Sequence, residues 1–394
     1  MNIGYAQNII TPSLERPVYL AGFGQNRRAE TVHDDLYARA LAIGDSSRTI
    51  VLCALDLIGF FRRDVYEVIQ RVHKKWPEVD ILIASLHPHH GPDTMGLWGP
   101  DSRTSGVDPL YMSELKDKIV AVILSALENM QPAAGIKVTS ISVPGLTKNA
   151  RNPEILDNEL TLFQFLNADN RPLVTGFNFP CHPEVLWEHN PHITADYVGY
   201  LRCEVEQQSG APCIFFVGAL GGMMTPNVKD HSFEEAEFMG KTLAQKGLAA
   251  LQDANREPVV TLSIQKKEIS VKLTNLLFKL AIRRGLFPDI RDPKGRIQTE
   301  VSLVKIGSLW LAAVPGELLP KLGLAIKANL LAAGAGRAGI IGLANDELGY
   351  ILPKEDFRYP LNPLKPGKHY EESMSIGKEI GTTIMQSIHE LIGS

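Results

Sequence analysis

Three histidines, His87, His89 and His90, follow directly after the apolar run of residues 80–86, in the stretch DILIASLHPHHGPD. Imidazole is the commonest protein ligand for metal ions, and it titrates near neutral pH. The cluster is therefore suited to binding a metal ion, to transferring protons, or to both. A surface loop that binds metals only incidentally would have the same composition, so the assignment depends on further residues.

Two further ligand-type residues stand at the ends of other apolar runs, His182 in FNFPCHP and Glu317 in AAVPGE. Together with His87 they would supply two imidazoles and one carboxylate, the ligand set of one class of catalytic zinc site, which keeps a coordination position for water. Prolines at positions 88 and 183 restrict the backbone beside both histidines. Considered alone, His182 would also fit a buried structural histidine.

The elements that must position these residues form one pattern that occurs three times. Each copy has a β-hairpin, an amphipathic helix and a closing strand, and the copies share almost no sequence identity. The copies cover, in that order, residues 36–57, 62–76 and 80–86, then 160–179, 195–210 and 212–220, then 300–314, 318–334 and 338–344. The sequence therefore predicts an α/β fold of mixed sheets flanked by helices, built from three hairpin–helix–strand units.

Polar residues gather where the strands of each unit end. In open α/β sheets, sites form in the crevice beyond the carboxyl ends of the strands, so we expect His87, His182 and Glu317 to share one site. Other polar residues at strand ends either orient the ligands or serve as turn and capping residues; these are Asp56, Asn227, Asn345 and Asp346.

Composition excludes several classes of function. The net charge of −4 over 394 residues, with both signs mixed, provides no basic field for nucleic acid. No run approaches the length of about 20 apolar residues that spans a membrane. The N-terminus lacks a basic segment followed by an apolar one, and the four cysteines form no CxxC pair, so we expect a cytoplasmic protein. We expect residues 1–394 to form a single catalytic domain.

Several short motifs, in the same order and at similar spacing, resemble the neutral/alkaline non-lysosomal ceramidase family, in particular its N-terminal catalytic domain. LIASLHPHHGP resembles the family's ATHTHSGP signature, FNFPCHPEVL its FAVHPT stretch, and VPGEL its VPGEF. The segments IGYAQNIITP, NARNPE, LGGMMTPN, GYILPKEDF and HYEES also have counterparts, so the similarity covers nearly the whole chain. We expect a short form without the family's C-terminal immunoglobulin-like domain.

The resemblance implies a zinc enzyme that hydrolyses an N-acyl sphingoid or a related lipid amide, and it implies roles for eight residues. The zinc ligands fall on His87, His182, Glu317 and Tyr350. His89 lies beside the reaction centre, Arg151 and Tyr370 bind the amide carbonyl and stabilise the oxyanion, and Thr225 occupies the position of the active-site serine. Without the resemblance, Arg151 would be a structural arginine paired with Asp157 or Glu159.

Departures from the family pattern leave alternatives for the function. Thr225 replaces serine, Met223 replaces aspartate, and His90 replaces the serine of the signature. These changes leave open a metal hydrolase for a smaller ester, lactone or amide, and a metal-binding protein without turnover. Residues 270–296 interrupt the third unit and form either an amphipathic flap over the site or a helix packed on the core.

Overall fold

A computed structural model describes residues 1–258, 261–286, 291–292, 294–358 and 370–393 of the chain. Within these residues, three mixed β-sheets are flanked by helices. The predicted α/β class is confirmed. None of the helices in the described ranges is long and apolar enough to cross a membrane.

Each predicted unit forms one sheet with the same local topology. The two hairpin strands pair antiparallel, and the closing strand pairs parallel to the second hairpin strand. The first sheet consists, in spatial order, of β5 (Asp80–Ser85), β4 (Thr49–Leu55), β3 (Tyr37–Gly44), β1 (Asn2–Ile9) and β6 (Gln131–Pro132). The second consists of β12 (Cys213–Val217), β10 (Pro172–Phe179), β9 (Glu159–Leu166), β7 (Gly135–Ser142) and β14 (Arg256–Glu257). The third consists of β15 (Leu262–Lys272), β16 (Arg296–Ile306), β17 (Leu309–Ala313) and β19 (Arg337–Ile341).

Three short strand pairs connect the loops at the sheet ends. They are β2 (Thr31–Val32) with β11 (His192–Ile193), β8 (Thr147–Asn149) with β13 (Met224–Pro226), and β18 (Glu317–Leu318) with β20 (Tyr350–Ile351). The helices are α1 (Arg62–His73), α2 (Pro109–Glu128), α3 (Tyr197–Ser209), α4 (Phe233–Asp253), α5 (Leu276–Arg283), α6 (Pro320–Ala332), α7 (Tyr370–Ser373) and α8 (Ile380–Gly393), with a 3₁₀ turn at Lys354–Asp356.

One of the buried apolar clusters spans all three sheets. Leu52 of β4, Phe177 of β10 and Leu311 of β17 belong to the same buried cluster. The strands of the units are buried along nearly their whole length, as is typical of strands covered on both faces. The buried amide of Asn178 donates hydrogen bonds to the carbonyls of Phe216 (3.0 Å) and Ile340 (2.7 Å), which joins the second sheet to the third.

A buried ion pair joins the first unit to the second. Arg202 of α3 donates two hydrogen bonds to Asp56, which follows β4, at 2.8 and 2.7 Å. Oδ2 of Asp56 also accepts a hydrogen bond from the backbone N–H of Tyr37 at 2.8 Å, and the N–H of Asp56 donates to the carbonyl of Tyr37 at 3.0 Å. Asp56 therefore holds the ends of β3 and β4 against α3 and does not contact the candidate ligands.

Candidate metal centre

Three histidines from two units converge beyond the strand ends. His87 and His89 follow β5, and His182 follows β10. Their ring centroids lie 5.1 to 5.5 Å apart, and one nitrogen from each ring lies within 4.8 Å of the others. All three residues are buried. His90 points away from this group, with its Nε2 2.8 Å from the carbonyl oxygen of Trp187.

Backbone carbonyls orient two of these rings. His87 Nδ1 lies 2.5 Å from the oxygen of Ile58, and His182 Nδ1 lies 2.9 Å from the oxygen of Met224. Because a carbonyl oxygen only accepts hydrogen bonds, each Nδ1 carries the proton in the neutral ring and each Nε2 presents a lone pair. Metal-binding histidines are oriented in this way.

Glu317 and Tyr350, which belong to the third unit, lie beside the three histidines. Glu317 begins β18, which pairs parallel with β20, and the register sets Glu317 opposite Tyr350. The Tyr350 hydroxyl hydrogen-bonds the Glu317 carboxylate and lies 3.4 Å from the sulfur of Met223. The structure therefore brings together all four residues predicted as ligands, His87, His182, Glu317 and Tyr350.

The spacing of the donors fits a zinc ion. Glu317 Oε2 lies 3.1 Å from His182 Nε2 and 3.8 Å from His87 Nε2. Tetrahedral ligands at about 2.0–2.1 Å from zinc lie about 3.3 Å from each other. Nitrogen and carboxylate donors are also the ligand types that zinc takes in catalytic sites.

Electrostatics at the centre favours a bound positive charge. Burial acts to lower the pKa of His182, but the carboxylates of Glu184 and Glu317 outweigh it and raise the pKa to about 9. Burial lowers the pKa of His87 to about 3, with Glu317 acting in the opposite direction. The His87 imidazole therefore stays neutral, and the nearby carboxylates favour a positive charge at the centre, which a divalent metal ion would provide.

A buried carboxylate that the sequence reasoning missed, Glu184, orients His89. Its Oε2 lies 2.9 Å from His89 Nδ1, and the carboxylate also takes a hydrogen bond from Thr225. Burial acts to raise the pKa of Glu184, but His89 and His182 lower it to about 2. The ionised carboxylate therefore holds the proton of His89 on Nδ1 and leaves Nε2 for the centre.

The backbone is constrained where the first unit meets the site. His87 adopts a φ of 65°, which is unusual for a residue with a side chain and is typical of functional sites held in place by their surroundings. Gly22 adopts a φ of 100°, and a Cβ there would lie 2.3 Å from His89 Cγ. Only glycine therefore fits beside the imidazole of His89.

An apolar cavity of about 370 Å³ opens onto the centre. His87, His89, Glu317 and Tyr350 line one part of it. The remaining wall is mostly apolar, with Phe23, Phe61, Met95, Leu97, Trp98 and Phe278 among its residues. This volume lies within the range of about 300–1,000 Å³ that is typical of ligand sites.

The wall also contains a second carboxylate that the sequence reasoning missed, Glu347. Its Oε1 accepts a hydrogen bond from the N–H of Gly349 at 2.7 Å, whereas its buried Oε2 has no hydrogen-bond partner among the described residues. Burial and the nearby Glu317 raise the pKa of this carboxyl well above its usual value. The signal in the sequence was an acidic residue three positions before Tyr350, in NDELGY.

The residues predicted to bind the amide carbonyl occupy different places. Tyr370 lines the cavity, and its ring centroid lies 5.8 Å from that of Tyr350. Arg151 lies in a separate polar cavity and donates hydrogen bonds to Glu371 (2.6 Å) and Glu372 (2.9 Å). Asp157, one partner considered from the sequence, pairs instead with Lys327. The role of Arg151 at the oxyanion stays a prediction.

Other polar residues at strand ends have structural contacts. Asn345 makes two hydrogen bonds with the backbone of Ile83 in β5, and its side-chain amide donates a hydrogen bond to the carboxylate of Glu300 in β16. Asp346 accepts from the N–H of Arg62 at the start of α1, which is a capping interaction. Asn227 is exposed and donates to the carbonyl of Gly145. Thr225 contacts Glu184 and does not line the cavity described above.

Comparisons with known proteins agree with the fold described above. The profile of the family "neutral/alkaline non-lysosomal ceramidase, N-terminal" matches residues 2–239. The neutral ceramidase of Pseudomonas aeruginosa has a similar structure, with a TM-score of 0.79 at 19% identity, and the match covers 100% of this chain and 74% of that chain. A ceramidase complexed with C2 is similar with a TM-score of 0.79 at 18% identity, over 99% of this chain and 74% of that chain. At these identities the likeness shows the fold. Curated protein sequences give no match to the chain.

Proposed function

Because this chain belongs to the neutral/alkaline non-lysosomal ceramidase family, we propose that it is a zinc-dependent amidohydrolase acting on a ceramide-like N-acyl lipid. The observation that carries the proposal is a buried set of metal donors at the end of a largely apolar cavity. The donors suit metal-assisted hydrolysis, and the cavity suits an acyl chain or a sphingoid chain.

In this proposal His87, His182, Glu317 and Tyr350 hold the ion, and His89 Nε2 faces the same point. Zinc held by these residues would supply a nucleophile at neutral pH, because it lowers the pKa of water to about 7. His89, kept protonated on Nδ1 by Glu184, can accept a proton at Nε2 and return it to the leaving nitrogen. The apolar wall excludes bulk water, which strengthens the hydrogen bonds and charges inside the cavity.

One hydroxyl group and one carboxyl can orient the substrate, and a second hydroxyl supports His89. Tyr370 lines the cavity and is placed to donate a hydrogen bond to the amide carbonyl as negative charge develops on it. Because the pKa of Glu347 is raised and Oε1 accepts from Gly349, Oε2 carries the proton of the neutral carboxyl and can donate a hydrogen bond to an oxygen of the substrate. Thr225 acts through Glu184 and thereby supports His89.

A direct test measures bound metal in protein purified without added zinc, and then hydrolysis of long-chain N-acyl sphingosine before and after chelation. We expect about one zinc per chain, loss of hydrolysis on chelation, and recovery when zinc is returned. Undiminished hydrolysis by metal-free protein would contradict the proposal.

A second candidate function is hydrolysis of a smaller ester, lactone or amide. The buried carboxyl of Glu347 in the cavity wall favours it, because a carboxyl oxygen without a hydrogen-bond partner among the described residues suits a polar substrate better than an aliphatic chain. A panel of short water-soluble amides and esters beside long-chain N-acyl sphingosine separates the two candidates. A protein that binds zinc and turns over no member of the panel would instead support a binding function.

A further inference from the structure

Helix α5, at the edge of the cavity, is apolar on two opposite sides. Phe278 and Ile282 face inward, where they line the cavity and pack against buried residues such as Met95. Leu276 and Leu277 on the other side are 66% and 56% exposed, and Leu280 is 41% exposed. The spacing i, i+1 and i+4 places these three leucines on one face of the helix.

This exposed apolar face of α5 is suited to binding another apolar surface. Single exposed leucines are common on protein surfaces, but adjacent ones beside a binding cavity mark an interaction surface. We call Leu276, Leu277 and Leu280 the outer leucines of α5.

Positive charge surrounds the outer leucines. Arg283 and Arg284 follow them at the end of α5 and are exposed, and Lys279 is partly exposed. The sequence contains no Asp or Glu between Glu268 and Asp289. The chain as a whole has a net charge of −4, so this segment is locally basic on a mildly acidic protein.

We propose that the outer face of α5 docks on the surface of an anionic lipid bilayer. The outer leucines would enter the boundary between headgroups and acyl chains, and Arg283 and Arg284 would contact the anionic headgroups. Apolar and basic residues combined on one short helix are the pattern of interfacial helices. A second copy of the chain suits this face less well, because pairing would bring arginines of both copies to one interface.

Docking through α5 would bring a lipid substrate to the cavity. This part of the inference rests on the proposed function. The same helix that presents leucines outward contributes Phe278 and Ile282 to the cavity wall. A lipid leaving the bilayer at this point would enter the cavity along an apolar path and would reach the metal centre without crossing bulk water. The bilayer contact itself requires neither the metal nor turnover.

Co-sedimentation of the full chain with vesicles tests the proposal. One set of vesicles contains phosphatidylcholine with about one third phosphatidylglycerol, and the other contains phosphatidylcholine alone. We expect binding to the anionic vesicles that weakens as salt rises from 0.1 to 0.5 M. The variant L276S/L277S/L280S should lower the partition coefficient by about 100-fold, and R283Q/R284Q by about 30-fold.

The control variant L324S/L331S changes two other exposed leucines, both on α6, which are 37% and 48% exposed. It should bind vesicles as the unaltered chain does. Equal binding by the triple-leucine variant and the unaltered chain would overturn the proposal, as would a dimer in light scattering that the triple-leucine substitution converts to a monomer. Hydrolysis of a short water-soluble amide should be unchanged in the triple-leucine variant. Vesicle binding therefore tests the docking proposal, and amide hydrolysis separately tests the proposed activity.

Discussion

Replacing Glu184 by glutamine should weaken zinc binding without unfolding the protein. Glu184 is fully buried, and its carboxylate lies 2.9 Å from His89 Nδ1 and hydrogen-bonds Thr225. Glutamine keeps the size of the side chain but removes the charge. Its amide can turn an N–H toward His89, which would favour the tautomer with the proton on Nε2, so that Nε2 could no longer accept a proton; the negative charge that helps to hold the cation at the centre is also lost.

The magnitude follows from the charge that the pocket stabilises. The environment lowers the pKa of Glu184 from 4.5 to about 2, which corresponds to about 3 kcal/mol in favour of the ionised form. Loss of a carboxylate from the surroundings of a metal site usually costs 10- to 100-fold in metal affinity or activity, or about 1.4–2.7 kcal/mol. We therefore expect the dissociation constant for zinc to rise 10- to 100-fold in E184Q.

Competition against a chromophoric chelator of known affinity measures this change, with circular dichroism as a check on folding. E188Q is the matched control, because Glu188 is a nearby carboxylate at the cavity edge that does not contact the three histidines. An unchanged zinc affinity in folded E184Q would refute this role of Glu184.

Three further predictions concern the surroundings of the centre. Gly22→Ala should cut hydrolysis at least tenfold, since the new Cβ would meet the His89 ring, and unaltered kinetics would contradict this. Arg202→Ala should lower the free energy of unfolding by about 3–5 kcal/mol, because it leaves the buried Asp56 carboxylate unpaired; denaturation in urea measures it, and a loss below 1 kcal/mol would contradict it. Burial raises the pKa of Asp196 to about 7 from 3.8, so the folded state holds this proton more tightly than the unfolded state. Stability should therefore fall by about 3 kcal/mol as pH rises from 5 to 8, and D196N should remove most of that fall; parallel unfolding curves for both proteins across this range would contradict it.

Local patterns in the sequence predicted the units because the signals for hairpins, helices and strands lie within each segment. The helix predicted at residues 195–210 is α3 (Tyr197–Ser209), and the strand predicted at 212–220 contains β12 (Cys213–Val217). The order of strands could not be predicted, because it depends on pairing between segments such as β1 and β6, which are more than 100 residues apart.

The candidate site could be predicted only in part, for a related reason. Strand ends pointed to His87, His182 and Glu317, and the family resemblance added Tyr350, which the β18–β20 register places opposite Glu317. Glu184 was missed although an acidic residue directly after His182-Pro183, in an apolar context, was a visible signal.

The contacts that individual side chains make were the second feature that could not be predicted from the sequence. The role of Arg151 at the amide carbonyl stays a prediction, whereas its pairing with Glu371 and Glu372 could not be predicted because it joins residues more than 200 positions apart. Residues 270–296 were expected to form a flap or a core-packed helix. Within the described part of this segment, α5 packs Phe278 and Ile282 inward and leaves leucines outside, so which face meets the core depends on the tertiary structure.

The central claim is that one divalent ion is held jointly by residues from all three units. Anomalous diffraction at the zinc absorption edge, from crystals of the full chain grown with zinc, tests it most directly. We expect a single strong peak at about 2.0–2.2 Å from Nε2 of His87, Nε2 of His182 and a carboxylate oxygen of Glu317. A map without a peak at this position, or with a peak that only one of these three residues touches, would contradict the claim.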